Sequence, residues 1–237
     1  MEASCAAAAA ALPALCSALA AHSQDAAVVE PICRALRNIS AVEPLKVVST
    51  EAAIPAAIAA LQAHAGVEAL LIVACSVLFN SASSSEGCKK CMAAGAVPAV
   101  AALAAHASQA VQVEACSVLG RLAPCLGQDA GAEGSTAQAV VGMLKAHDAG
   151  VELAAECCTT LHKMSRNAAG RAACLAAGAA PALVRALQAA DSRVAEAAVM
   201  ALLAITVSSP GQAIHGAVAA RGDFPALIAA WRRATAP

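Results

Sequence analysis

Two short patterns in this 237-residue chain have the residue types and spacing of reactive chemistry. Cys158 and His162 lie four apart, which on a helix puts both on one face, the spacing a thiol nucleophile and its general base would use. Cys88-Lys89-Lys90-Cys91 is a CxxC whose lysines would lower a thiol pKa and favour redox or metal chemistry. Four of the six histidines, His22, His64, His106 and His147, also recur at intervals of 42, 42 and 41 residues. Each pattern has a plainer competitor. Neighbouring helices pack about 8–10 Å apart, so histidines one interval apart cannot share a zinc ion that needs its ligands within about 2.1 Å. A polar residue in the last turn of a helix, favourable to its dipole, accounts for the series. No second CxxC exists and no βαβ pattern surrounds Cys88, while Cys91 is in register with Cys174. Paired carboxylates, a phosphate-cradling glycine loop and a nucleophile elbow are also missing from the sequence. The chain reads as non-enzymatic, with no cofactor and no metal.

The elements that carry these residues are copies of one another. Leu19, Leu61, Leu103, Leu144 and Leu187 are separated by 42, 42, 41 and 43 residues, and Leu36, Leu78, Leu119, Leu161 and Leu202 by 42, 41, 42 and 41. Two separate columns thus give one period, and a helical period near 42 is the signature of an α-solenoid. Cys33, Cys75, Cys116 and Cys158 each stand three residues before a leucine of the second column, where the fifth copy has Val199. A column that exchanges Cys for Val is a small apolar packing column, so Cys158 is expected to face the core.

Composition supports an all-α fold. Hydrophobic residues make up 60% and aromatics 1%, so the core is built from Ala, Leu, Val and Cys, and alanine has the best helix propensity. The formal net charge of −1 comes from 15 basic and 16 acidic residues without a long run of either sign, which argues against nucleic acid as the ligand. Eleven cysteines, explained by packing and not by disulfides, suit a reducing, intracellular and cytoplasmic setting. The uncharged stretches Ala3 to Gln24 and Cys91 to Val113 are alanine-rich, interrupted by proline or polar residues and in phase with the repeat, so no membrane insertion is expected. Glu2 and the lack of any arginine before Arg34 argue against a secretory signal or transit peptide.

The period divides residues 1–237 into one continuous array, with units at about 1–42, 43–83, 84–125, 126–165 and 166–209 and a partial unit at 210–237. A full unit is expected to hold a leading helix, a second helix and a longer third helix. In the second unit these are predicted near Pro44 to Ala53, Pro55 to His64 and Val67 to Ala82. Gly95, Gly178 and Gly222 lie three residues before Pro98, Pro181 and Pro225, which predicts a left-handed stop followed by a proline-started helix, an abrupt corner. The fourth unit begins with GQDAGAEGS, Gly127 to Ser135, whose glycines predict a loop or single turn before a second helix from Gln138.

With the period and the corner in hand, EGCKKCMAAGAVPAVAALAAH and AAGRAACLAAGAAPALVRALQAAD resemble the leading and second helices of armadillo repeats, and VEPICRALRNIS and VEALLIVACSVLFNSAS resemble their third helices. The resemblance runs from about Leu12 to Trp231. It implies a right-handed superhelix of about five repeats, with incomplete first and last units. It also implies a concave groove, lined by third helices, that accepts extended peptides. In many family members an asparagine near the end of the third helix binds the guest backbone; here that column reads Asn38, Asn80, Arg121, Lys163 and Ala204. One turn earlier, where nuclear-import receptors of the family place tryptophan, it reads Arg34, Ser76, Ser117, Thr159 and Met200. Small polar residues there argue against basic nuclear-localisation peptides, and Arg34, Arg121 and Lys163 favour an acidic or phosphorylated segment. The competing reading is that these are ordinary solvated residues on an exposed helix face.

The ends offer a second surface. Leu12, Leu15 and Leu19 have no leading helix before them, and Phe224, Leu227, Ile228 and Trp231 have no third helix after them, so either end is expected to dock end-on to a protein partner in a larger complex. The resulting expectation is a protein-binding scaffold or adaptor. Its alternatives are a structural subunit of a large filamentous or ciliary (axonemal) assembly, placed in the cilium, and a Cys–His thiol enzyme.

Overall fold

The computed structural model describes residues 25–40, 46–127, 129–146 and 150–206, together with isolated positions between 11 and 22. Among the described residues there is no β-strand. They form two compact units, divided between Cys125 and Leu126 near the end of one helix.

The first unit contains α1 (Ala26–Ser40), α2 (Lys46–Ala63), α3 (Glu68–Ser81), α4 (Ser85–Ala93), α5 (Ala96–Ala101) with a 3₁₀ turn at Ala102–Ala105, and α6 (Gln109–Leu126). α1, α3 and α6 are the third helices of the first three copies. α1 packs on α3, and α2 fills the space against both. The second unit contains α7 (Ala130–Lys145), α8 (Val151–Met164), α9 (Ala168–Ala176), α10 (Ala179–Ala186) and α11 (Ser192–Thr206). Its third helices α8 and α11 pack together, with α7 against α8, α9 and α10. The described leucines of both columns lie in the core, and Cys33, Cys75, Cys116 and Cys158 are each 0% exposed. The Cys-for-Val column is a packing column.

The expected corner forms where its glycine is present. Gly95 and Gly178 have φ of 80° and 79°, the left-handed region that a Cβ makes costly. The segments Ser85–Ala93 and Ala96–Ala105 meet there at 78°. The uncharged stretch from Cys91 is therefore bent inside the fold, and among the described residues no single helix is long and apolar enough to cross a membrane. The corner at Gly222 and Pro225 lies outside the described residues.

Two expectations are corrected. The second unit has no break between a leading and a second helix: α2 runs unbroken for 18 residues with Pro55 inside it. Ala52 occupies the place of the corner glycine, and a left-handed turn at an L-residue costs roughly 1–2 kcal/mol. Residues 130–135 are likewise not a loop, because α7 begins at Ala130 and continues for 16 residues. Asp129 caps it, its Oδ1 accepting from the Gly131 and Ala132 N–H groups at 3.0 Å each. Gly131 and Gly134 cost about 1 kcal/mol each in a helix. Burying Val140, Val141, Met143 and Leu144 at about 1.5–3 kcal/mol each outweighs that cost.

A second glycine column went unread. Gly87 and Gly170 occupy the third position of α4 and α9, and each N–H is capped from three residues earlier, by Ser84 Oγ at 3.0 Å and Asn167 Oδ1 at 2.7 Å. A Cβ on Gly87 would lie 1.9 Å from the Ser81 carbonyl oxygen, and one on Gly170 2.0 Å from that of Met164. Each leading helix thus starts directly against the end of the preceding third helix. The signal was in the sequence as a cap residue followed three positions later by glycine, in SSEG and NAAG.

Candidate functional site

The residues with reactive-looking spacing are placed by packing. Cys158 has no exposed surface, and His162 is turned to the next third helix, where its Nδ1 donates to the Met200 carbonyl at 3.2 Å. A sulfur sealed from solvent does not meet a substrate. The CxxC is buried as well: Cys88 is pushed up to about 12, first by burial and then by its contacts with Cys125 and Cys91, which outweigh the opposing pull of Arg121. Cys91 is pushed up to about 12 by burial and by Cys125. The expected lowering by Lys89 and Lys90 is therefore replaced by its opposite, because desolvation of the thiolate is the larger effect.

One histidine of the series ties two copies together. His106 Nδ1 accepts from the Ser108 N–H at 3.0 Å, which puts the proton on Nε2, and Nε2 donates to the Ala65 carbonyl of the previous copy at 3.2 Å. Beside it Ser108 Oγ donates to Glu68 Oε1 at 2.8 Å, and Gln112 Nε2 donates to the carbonyls of Ala104 and His106 at 3.1 and 2.8 Å. His106 therefore fastens one turn to the turn below it instead of only complementing a helix dipole. His64 is buried, His22 is exposed, and His147 lies outside the described residues.

On the third helices of the first unit the groove candidates separate by their partners. Arg34 is exposed but ion-paired with Glu30 four residues earlier. With Pro31, Ala35 and Asn38 these two line an open depression of about 470 Å³ on α1. Asn38 is exposed, and its Oδ1 accepts from Arg37 Nε and a terminal guanidinium nitrogen at 3.4 and 3.3 Å. Asn80 is half-buried, and its Nδ2 donates to the Arg37 carbonyl at 3.4 Å, so this amide links α3 to α1. Ser76 Oγ donates to the Ile72 carbonyl at 3.0 Å, and Ser117 is half-buried. Arg121 differs from them all. It is exposed, and its guanidinium carbon lies 4.1 Å from the centroid of the Phe79 ring.

Phe79 is the residue that sequence reasoning missed here. It stands one position before Asn80, in a column otherwise filled by Arg37, Gly120, His162 and Leu203, and it is one of only two phenylalanines in the chain. An aromatic so placed one copy before a cation was the available signal.

On the second unit Thr159 and Lys163 are half-buried on α8. Met200 and Leu203 on α11 are large apolar side chains left 48% and 45% exposed. Of the end residues, Leu15 is half-buried; Leu12, Leu19, Phe224, Leu227, Ile228 and Trp231 lie outside the described residues.

Residues 6–41 match the model of the Armadillo/beta-catenin-like repeat. A designed armadillo repeat protein in complex with the peptide (KR)4 is 23% identical, with a TM-score of 0.78 over 95% of this chain and 93% of that one. A computationally designed armadillo repeat protein for modular peptide recognition is 21% identical, with a TM-score of 0.75 over 92% of this chain and 91% of that one. A further engineered protein is 24% identical, with a TM-score of 0.77 over 94% of this chain and 96% of that one. No curated protein sequence matches. The fold is an all-α solenoid of armadillo repeats.

Proposed function

We propose that this protein is a non-enzymatic scaffold that binds an extended acidic or phosphorylated protein segment on the third-helix face of its first unit, centred on Arg121. The observation that carries the reading is the exposed guanidinium of Arg121 stacked on Phe79. Stacking orients the planar group while its edge keeps the paired N–H donors that match a carboxylate or phosphate. Among the described residues no carboxylate pairs with Arg121, whereas Arg34 is neutralised by Glu30. The designed relative is bound to a basic peptide. In this chain cations take two places of the asparagine column, Arg121 and Lys163, which favours the opposite charge. The buried cysteine column, explained by packing, supports a reducing, intracellular setting for such a scaffold.

Fluorescence anisotropy with labelled acidic, phosphorylated and (KR)4 peptides tests this. Acidic and phosphorylated peptides are expected to bind, with affinity falling as salt rises, and Arg121→Glu to weaken them at least about tenfold, the loss typical of a charge-assisted contact. Arg121→Lys keeps the charge but loses the fork, and should fall between. Preferential binding of (KR)4, or indifference to Arg121→Glu, overturns the reading.

A further inference from the structure

α11 is the last described third helix, and Arg193, Glu196, Met200 and Leu203 are exposed along one of its faces, at spacings of three, four and three. The N-terminal half of that face is charged. Arg193 pairs with Asp191 at 3.3 Å, whereas Glu196 has no salt bridge among the described residues. The C-terminal half is apolar, with Met200 and Leu203 beside half-buried Ala197 and Ala204.

The earlier copies show what meets such a position. Leu203 continues the column Arg37, Phe79, Gly120 and His162. Wherever the following third helix lies in the same compact unit, it touches this column. Asn80 of α3 donates to the Arg37 carbonyl at 3.4 Å, and Arg121 of α6 sits 4.1 Å over the Phe79 ring. The Met200 carbonyl of α11 accepts from His162 at 3.2 Å. Arg37, Phe79 and His162 are half-buried and Gly120 is buried, but Leu203 is 45% exposed. The helix-to-helix interface that runs through the copies therefore continues onto α11 and presents its next face there.

We propose that the Met200–Leu203 face of α11 docks an amphipathic helix of a protein partner, laid on α11 as a further third helix would lie. The occupant is helical because a helix meets this column in the earlier copies. Its contact side chains are apolar, to match Met200 and Leu203, and a lysine or arginine one turn away faces Glu196. A second whole copy fits less well. Stable interfaces bury about 1,200–2,000 Å² in total, whereas two large side chains suit the i and i+3 or i+4 anchors of a single helix. The surface belongs to the second unit and does not rest on the acidic-segment reading of Arg121.

The test is methyl NMR of the full-length protein labelled at its five methionines, titrated with a synthetic helical peptide carrying leucines on one face and lysines beside them. Met200 is the exposed methionine among those described, so its methyl signal reports the face directly. A saturable shift of Met200 is expected, with Met92 on α4 unmoved. Leu203→Glu, at an exposed position that leaves the core intact, should weaken the peptide about tenfold, the loss typical of an anchor residue. Glu196→Lys should weaken it by a smaller factor that shrinks as salt rises. An unmoved Met200, equal shifts with a scrambled peptide of the same composition, or indifference to Leu203→Glu overturns the proposal. So do Met200 shifts that grow with protein concentration without peptide, which assign the face to a second copy. Nuclear Overhauser contacts from the Met200 methyl to the Trp231 ring in the free protein assign it to residues 207–237 of the same chain, and overturn the proposal equally.

Discussion

In the third and fifth copies the chain caps a helix, presses it against its predecessor and turns, using Ser84, Gly87 and Gly95 in one and Asn167, Gly170 and Gly178 in the other, with the same spacings of three and eight. In the second and fourth copies it runs on unbroken, as the 18-residue α2 and the 16-residue α7. The difference teaches that proline does not make the corner. Pro55 lies inside α2 without breaking it, whereas Gly95 and Gly178 turn because they can hold a positive φ. A corner copy needs two glycines for different reasons: one lacks a Cβ where there is no room, and the other lacks it where the backbone is left-handed.

Substitutions can break that comparison. The largest effect is expected for Gly170→Ala or Gly87→Ala, whose Cβ would meet a carbonyl oxygen at 2.0 or 1.9 Å. Backbone has to move, so urea denaturation should show a loss of about 3 kcal/mol. Gly95→Ala meets nothing within 4 Å and pays only for its conformation, φ +80°, about 1–2 kcal/mol in the same measurement. An equal loss at Gly87 and Gly95 would show that the two glycine roles are not distinct. In the unbroken copy the signs reverse. Thr136 is 0% exposed with a hydroxyl that has no hydrogen-bond partner, so Thr136→Val should stabilise by about 1 kcal/mol and raise Tm. Gly134→Ala, with open space around the new methyl and an ordinary helical backbone, should stabilise by about 0.5–1 kcal/mol. If Gly134→Ala destabilises instead, the continuity of α7 depends on something other than the lack of a corner glycine.

Much of the repeat was legible because its core columns are one-residue signals. Leu36, Leu78, Leu119, Leu161 and Leu202 all have to fill the same hole, so their spacing reports the helix stack directly. The binding face was legible only as columns. Asn80 and Arg121 share a column, but one amide bonds to the neighbouring copy and the other side chain lies exposed on a ring. Nothing in either residue's own helix distinguishes these fates, because each depends on what the previous copy presents at that height. Residues 130–135 were misread for a related reason: propensity counts glycines, but Asp129 and the apolar face of α7 decide the element.

By itself the sequence determined the period, the helical class, the cysteine and leucine core and the two corner glycines, since each follows from local conformation or from burial repeated at a fixed spacing. Tertiary structure alone decided that Gly87 and Gly170 admit no side chain, that His106 fastens two copies and that Phe79 carries Arg121. Those three facts are contacts between residues six to 42 positions apart. Such distances close only when one helix has already packed against another.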